Sequence, residues 1–278
     1  MRMLDKLSVK GARTWHPIII MILVCFLWST QGFATLADAT GVDPGDWYKE
    51  RSISASADIM GLAYAYDSEG EHLLAAGFET DIIYALNPNS GAVLRSFPSP
   101  GTRPEGLTFD GLYLWCQAEG GDSDQVYKID YLTGTVLRSF DGPGSGGNGL
   151  AWLAPSLYVN DTFDDTIYEL DPTTASVRNS ITFPAQSSGI GGGITFVENN
   201  LYWSDYNTGI IYSLDPRDGT VLGSFDSRII GIEAMAYGNG ELFVSDGRGQ
   251  TIHVFVPEPA TLLLLGLGAL ALRRRRRA

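Results

Sequence analysis

Histidine, cysteine and positive charge are all scarce in this chain. Its 278 residues include three histidines and two cysteines. Cys25 lies in an N-terminal apolar run that is expected to be removed, which leaves Cys116 alone and excludes an intrachain disulfide. A lone cysteine in a strand-like stretch reads as a small buried residue. After the same removal His72 and His253 are the remaining histidines. Neither stands beside a serine or cysteine motif, so triad-type nucleophilic chemistry has no support. Of 19 basic and 32 acidic residues, 10 and 30 fall between Asp38 and Val256, a net charge of −20 for the body. Such a surface repels phosphate, and no nucleic-acid partner is expected. Helical periodicity is missing outside the two ends, and Gly142 to Gly149 is glycine-rich without a following helix that could cradle a phosphate.

A repeated phrase fills the body. Tyr212-Ser-Leu-Asp-Pro-Arg-Asp-Gly-Thr-Val-Leu-Gly-Ser-Phe225 returns as Tyr84 to Phe97, as Tyr127 to Phe140 and, more loosely, as Tyr168 to Phe183. The tyrosines are spaced by 43, 41 and 44 residues, and His253 follows 41 residues after Tyr212. A period near 42 residues fits a four-stranded propeller blade. The first strands are Gly61-Leu-Ala-Tyr, Gly106-Leu-Thr-Phe, Gly149-Leu-Ala-Trp, Gly193-Ile-Thr-Phe and Ala234-Met-Ala-Tyr. The second begin at Leu73-Leu74, Leu112-Tyr113, Leu157-Tyr158, Leu201-Tyr202 and Leu242-Phe243. Third and fourth strands flank an Asp-Pro-x-x-Gly turn.

The fifth repeat ends after its third strand, at Thr251 to Val256. Its missing fourth strand is supplied from about Tyr48 to Ser54, because Arg51-Ser-Ile-Ser aligns with Arg95-Ser-Phe-Pro. The prediction is therefore an all-β body of five blades, closed by an N-terminal strand, since closure removes unpaired sheet faces. A sixth blade would need a further repeat that the chain lacks.

The two ends read as addresses. Arg2, Lys6, Lys10 and Arg13 precede the apolar run Ile18 to Trp28, with small residues at Gly32, Ala34 and Ala37, so residues 1–37 form a secretory signal helix. Residues 38–256 are the propeller. Residues 257–278 carry Pro257-Glu258-Pro259, an apolar membrane helix from Ala260 to Leu272, and Arg273, Arg274, Arg275, Arg276 and Arg277, which stop transfer on the cytoplasmic side. This three-part ending resembles the PEP-CTERM sorting signal. The resemblance implies an exosortase as partner, transient anchoring in the inner membrane, and a cell-surface or extracellular destination in a Gram-negative bacterium that makes exopolysaccharide.

Two further resemblances bear on the body. Leu201-Tyr-Trp-Ser-Asp205 is similar to the YWTD repeat of receptor propellers. That implies structural hydrogen bonding for Asp161, Asp205 and Asp246, which end three second strands, with Gly77 and Cys116 replacing the aspartate in the other two. Asn148-Gly-Leu-Ala-Trp to Asp161, together with Pro104-Glu-Gly-Leu107, resembles the gluconolactonase and regucalcin family. It implies Glu105, Asn148 and Glu233 as oxygen ligands for one Ca²⁺ or Mg²⁺ at the axial mouth, with lactone hydrolysis as the alternative function. That family has six blades, and its third ligand is an Asp where Gly192 and Glu233 stand here. The insertion Ala118 to Asp124 has an Asp-x-Asp spacing without the rest of a calcium loop. Trp115, Trp152 and Trp203 suit either sugar stacking or packing between blades. The expectation is an extracellular binding or scaffold module for exopolysaccharide or matrix proteins, without a catalytic residue.

Overall fold

A computed structural model of the chain describes residues 47–257, apart from 56, 68, 120–123, 145, 186, 190, 248 and 249. The signal segment 1–37, Glu258, Pro259 and Arg273 to Arg277 lie outside the described residues, as does most of the acidic insertion.

Every described regular element is a strand, and the twenty strands form five four-stranded antiparallel sheets. The inner strands are β2 (Ile59–Asp67), β6 (Thr102–Phe109), β10 (Gly147–Leu153), β14 (Gly191–Val197) and β18 (Ala234–Gly238). The second strands are β3 (Gly70–Gly77), β7 (Leu114–Glu119), β11 (Ser156–Asp161), β15 (Asn200–Asp205) and β19 (Glu241–Ser245). The third are β4 (Ile82–Leu86), β8 (Asp124–Asp130), β12 (Thr166–Leu170), β16 (Ile210–Leu214) and β20 (Thr251–Pro257). The outer strands are β5 (Val93–Pro98), β9 (Thr135–Asp141), β13 (Val177–Thr182), β17 (Val221–Asp226) and β1 (Trp47–Ser54). Each inner strand touches the next, and β18 returns to β2, so the ring is closed.

The closing blade has the strand order β1-β20-β19-β18, with Trp47 opposite Pro257 and Ser54 opposite Thr251. Its outer strand is thus the N-terminal segment expected from the alignment. Trp47 locks it in place. The indole is buried, lies 6.3 Å from the Phe225 ring of the preceding blade at 23°, and meets Tyr202 and Tyr237 edge-on.

The repeated turn owes its shape to one carboxylate and one glycine. Asp215 Oδ1 accepts the Arg217 amide, and Gly219 donates its own N–H to the Asp215 carbonyl at φ +75°. Asn87, Asp130 and Asp171 make the same side-chain bonds in their blades. Gly91 and Gly134 match Gly219, whereas blade three has Ala175 at φ 62°, where a Cβ is strained.

The core is not one mass but a series of layers between neighbouring blades. Leu62, Leu73, Phe243 and Val254 fill the seam between blades five and one; Leu74, Ile83, Leu107 and Cys116 fill the next. Trp115 and Trp203 are fully buried, and Trp152 stacks on Trp115 at 6.4 Å and 10°, so these rings serve blade-to-blade packing.

The second blade corrects one reading. Leu112-Tyr113 does not start its second strand; Leu114 does, pairing with Ile129 as Leu157 pairs with Leu170. Asp110 Oδ1 accepts the amides of both Leu112 and Tyr113 and holds them in the hairpin, leaving Leu112 65% exposed. The residue that stands in place of the aspartate is therefore Ala118, not Cys116.

Candidate functional site: an acidic axial mouth

Antiparallel pairing sends all five inner strands in one direction, and the residues just before Gly61, Gly106, Gly149, Gly193 and Ala234 come to one level around the axis. They are Met60, Glu105, Asn148, Gly192 and Glu233. Four of them stand at bulges, Gly192 through the register shift between Gly191 and Ile194. Ile59 pairs with Gly77 and Gly61 with Ala76, skipping Met60; Pro104 and Gly106 skip Glu105; Gly147 and Gly149 skip Asn148. A bulge leaves its residue out of the ladder and re-aims its side chain. Met60, Glu105 and Asn148 stand around one narrow axial cleft with no room for a water molecule. Its floor is an apolar plug of Leu62, Leu107, Leu150, Ile194 and Met235. At position 192 a side chain is excluded, because a Cβ would lie 1.9 Å from the Ile232 carbonyl oxygen. Glu233 stands outside the lining, its stem packed beside Gly247, yet its charge acts on Glu105.

Glu105 is the electrostatic centre of the mouth. Burial, then the negative charges of Asp124, Glu119 and Glu233, push its carboxyl up to about 8, and Arg103 opposes them only in part. Asp124 is also raised, first by burial, although its Oδ2 accepts the Gly147 amide at 3.0 Å. The mouth therefore holds more negative charge than it can stabilise by itself.

A ring of buried polar side chains supports the mouth, and the sequence reading missed it. Ala76, Gln117, Asn160, Ser204 and Ser245 occupy one position in the second strands, immediately before the aspartate position. Asn160 Nδ2 donates to the Gly192 carbonyl of the next blade at 2.6 Å, and Ser245 Oγ donates to the Ile59 carbonyl at 2.8 Å. Ser204 Oγ donates to the Gly193 carbonyl within its own blade at 3.1 Å. Gln117 is 1% exposed and packs over Gly147; its Oε1 and the Asn160 Oδ1 have no protein partner. The signal was visible as Asn-Asp, Ser-Asp and Ser-Asp at the strand ends, where the aspartate drew the attention.

The three aspartates do different work from their neighbours. Asp161 Oδ1 accepts the Phe163 and Asp164 amides of the hairpin, and Oδ2 accepts Gly146 from the loop arriving from blade two. Asp205 accepts Asn207 and Thr208 in the same way, and both the amide and hydroxyl of Ser188 at 2.6 Å. Asp246 accepts the Thr251 amide and faces His253 Nε2 at 3.4 Å. Among the described residues, no three His, Cys, Asp or Glu side chains gather closely enough to hold a metal ion. Glu105 and Asn148 thus stand beside the same axial cleft, with Glu233 at the side.

Comparison with known proteins bears on the two parts of the chain separately. Residues 255–277 match the PEP-CTERM protein-sorting motif. No curated protein sequence matches the chain. Among solved structures, the glutaminyl cyclase of Myxococcus xanthus has a TM-score of 0.63 at 15% identity, over 75% of this chain and 95% of that one. BamB of Moraxella catarrhalis has a TM-score of 0.42 at 15% identity, over 75% and 62%. At these identities the likeness concerns the fold. The motif implies recognition by an exosortase and export to the Gram-negative cell envelope or surface, and the described body beside it is a five-bladed β-propeller.

Proposed function

We propose that the protein is an extracellular binding module whose acidic mouth takes a positively charged group carried by the surrounding matrix, with an amine-bearing exopolysaccharide as the partner class. One observation carries this reading: Glu105, aimed into the mouth by a bulge, has its carboxyl raised to about 8 by burial and by Asp124, Glu119 and Glu233. A cation placed there relieves both the burial of charge and the mutual repulsion. The carboxylates are too dispersed to clasp a single small ion by themselves, which suits an ammonium on an extended, hydroxyl-rich frame. Titration calorimetry of the detergent-solubilised chain with glucosamine oligomers tests it. Binding that is lost on N-acetylation of the oligomer and in Glu105→Gln is expected; equal binding of both oligomers refutes it.

A second reading has its own support. Glu105 and Asn148 both sit on bulges beside the same axial cleft. With Glu233 they would form a Ca²⁺ site, and a bound ion would polarise a lactone carbonyl as a Lewis acid. Ca²⁺-dependent lactone hydrolysis, abolished by chelation, would favour this alternative over the matrix-binding role.

A further inference from the structure

Most of the exposed apolar residues share one end of the ring, although Phe163 and Ile230, 77% and 64% exposed, stand at the mouth end. Val93, Leu94, Val136, Leu137, Val177 and Leu222 are each 44–52% exposed, and all stand at the starts of outer strands. Three successive antiparallel pairings make each outer strand run opposite to its inner strand, so outer strands start at the end away from the mouth, where the third strands arrive. Leu112, Leu132 and Tyr66, in turns or at an inner-strand end, belong to the mouth-distal half as well. β20 ends at Pro257, opposite Trp47, on that half.

Both halves are acidic, the mouth-distal one through Asp67, Glu69, Glu71, Asp130, Glu198 and Asp218 among others, but the described cations are unevenly shared between them. Lys128, Arg178 and Arg217 on the mouth-distal half are each paired with a carboxylate, Asp110, Asp171 and Asp215 respectively. The mouth half carries Asp58, Asp81, Glu105, Asp161, Asp205 and Glu233, against Arg103 and Arg228 as its described cations.

We propose that this mouth-distal face lies on the lipid surface while the sorting signal is still attached, holding the acidic mouth away from the membrane. The reading rests on entry of residues 260–272 into the bilayer. Pro257 is three residues from Ala260, and an extended chain spans at most about 3.6 Å per residue, so this edge of the face is held within about 11 Å of Ala260. Half-exposed Val and Leu side chains gain by entering the interfacial layer. With more of the described cations, the mouth-distal half is repelled less by anionic headgroups than the mouth is. Lipid is favoured over a second copy because the tether fixes the face against the bilayer whatever the protein concentration.

The test uses the full chain in a Cys25→Ser background, inserted into phosphatidylethanolamine and phosphatidylglycerol vesicles containing brominated acyl chains. Cys116 is buried, with its thiol pushed up to about 12, and stays unlabelled. A fluorophore is attached at Leu94→Cys or, on the mouth side, at Phe163→Cys; Leu94 is 52% and Phe163 77% exposed, so neither change disturbs the core. The probe at 94 is expected to lose most of its emission and the probe at 163 to keep it. Equal quenching at both, or quenching at 163 alone, overturns the proposal. Carbonate-resistant anchoring without quenching at 94 overturns the face but leaves the anchoring intact. Failure to anchor overturns both. Glucosamine-oligomer binding, measured in the same vesicles, reports on the mouth independently.

Discussion

Replacing Gly193 by alanine tests the physical basis of the five-bladed ring. Closing five sheets around an axis brings neighbouring inner backbones close together, and the small residue at the start of each first strand is the consequence. An ideal Cβ at Gly193 would lie 2.5 Å from Met235 N, 2.6 Å from Ala234 C and 2.7 Å from Ala234 Cα, all main-chain atoms. Carbon contacts are comfortable at about 3.5–4.0 Å, so β14 and β18 would have to separate by about 1 Å. In a closed ring that movement passes to the other seams. Overpacking costs about 1–3 kcal/mol where flexible side chains can yield, and here only backbone can. Alanine regains about 0.5–1 kcal/mol through backbone entropy, so a net loss of about 2–3 kcal/mol is expected. For a body of this size that lowers Tm by roughly 4–12 °C. Gly149→Ala is the internal control. Its Cβ would meet Ile194 N at 3.2 Å and Ile194 Cγ1 at 3.3 Å, and it should cost under about 1 kcal/mol. Urea unfolding followed by tryptophan fluorescence gives both values. A Gly193→Ala protein as stable as the parent, or one no worse than Gly149→Ala, refutes the close-approach argument.

The turn in blade three offers a gain: Ala175→Gly removes a Cβ held at φ 62° and should stabilise by about 0.5–1 kcal/mol, read from the same unfolding curves. Trp47→Ala empties the space between Phe225, Tyr202 and Tyr237 and should cost about 3–5 kcal/mol, with early proteolysis of β1, while exposed Tyr48→Ala stays within about 0.5 kcal/mol. Because the folded carboxyl of Glu105 is raised from 4.5 to about 8, it contributes nothing to the pH dependence of stability well below 4.5. It costs stability progressively as pH rises through that window, and the loss is complete above 8. Glu105→Gln removes this slope, so Tm profiles of the two proteins should coincide in acid and diverge, with the variant higher, towards pH 8. If binding of an ammonium requires the ionised carboxylate, affinity should rise about tenfold per pH unit below 8, with proton release visible in calorimetry.

How much of this was legible beforehand can be judged residue by residue. Tyr212 to Phe225 and its copies identify a blade, because strand period and turn chemistry are local: Asp215 bonds an amide two residues away, and Gly219 needs only its own φ. The register of blade two was misread for the complementary reason. Leu112-Tyr113 is as strand-like as Leu157-Tyr158, but Asp110 captures both amides, and no alternation rule weighs a side-chain bond against a ladder bond. Glu105 and Asn148 were singled out by their place before the first strands. That both sit on bulges, and so point inward, depends on pairing with β7 and β11. Gln117 and Asn160 passed unnoticed because a buried amide is defined by what covers it.

By itself the sequence determined the blade count, the closure by the segment near Tyr48, and the sorting motif, since each is written as a repeat or an ordered string along the chain. Only the tertiary structure decided that Glu105 is crowded by Asp124, Glu119 and Glu233, that glycine must stand where inner strands nearly touch, and that the half-exposed Val and Leu side chains of the outer strands gather at the end of the ring opposite the mouth. Those properties arise from groups far apart in sequence and close in space, where burial and Coulomb repulsion act across blades rather than along the chain.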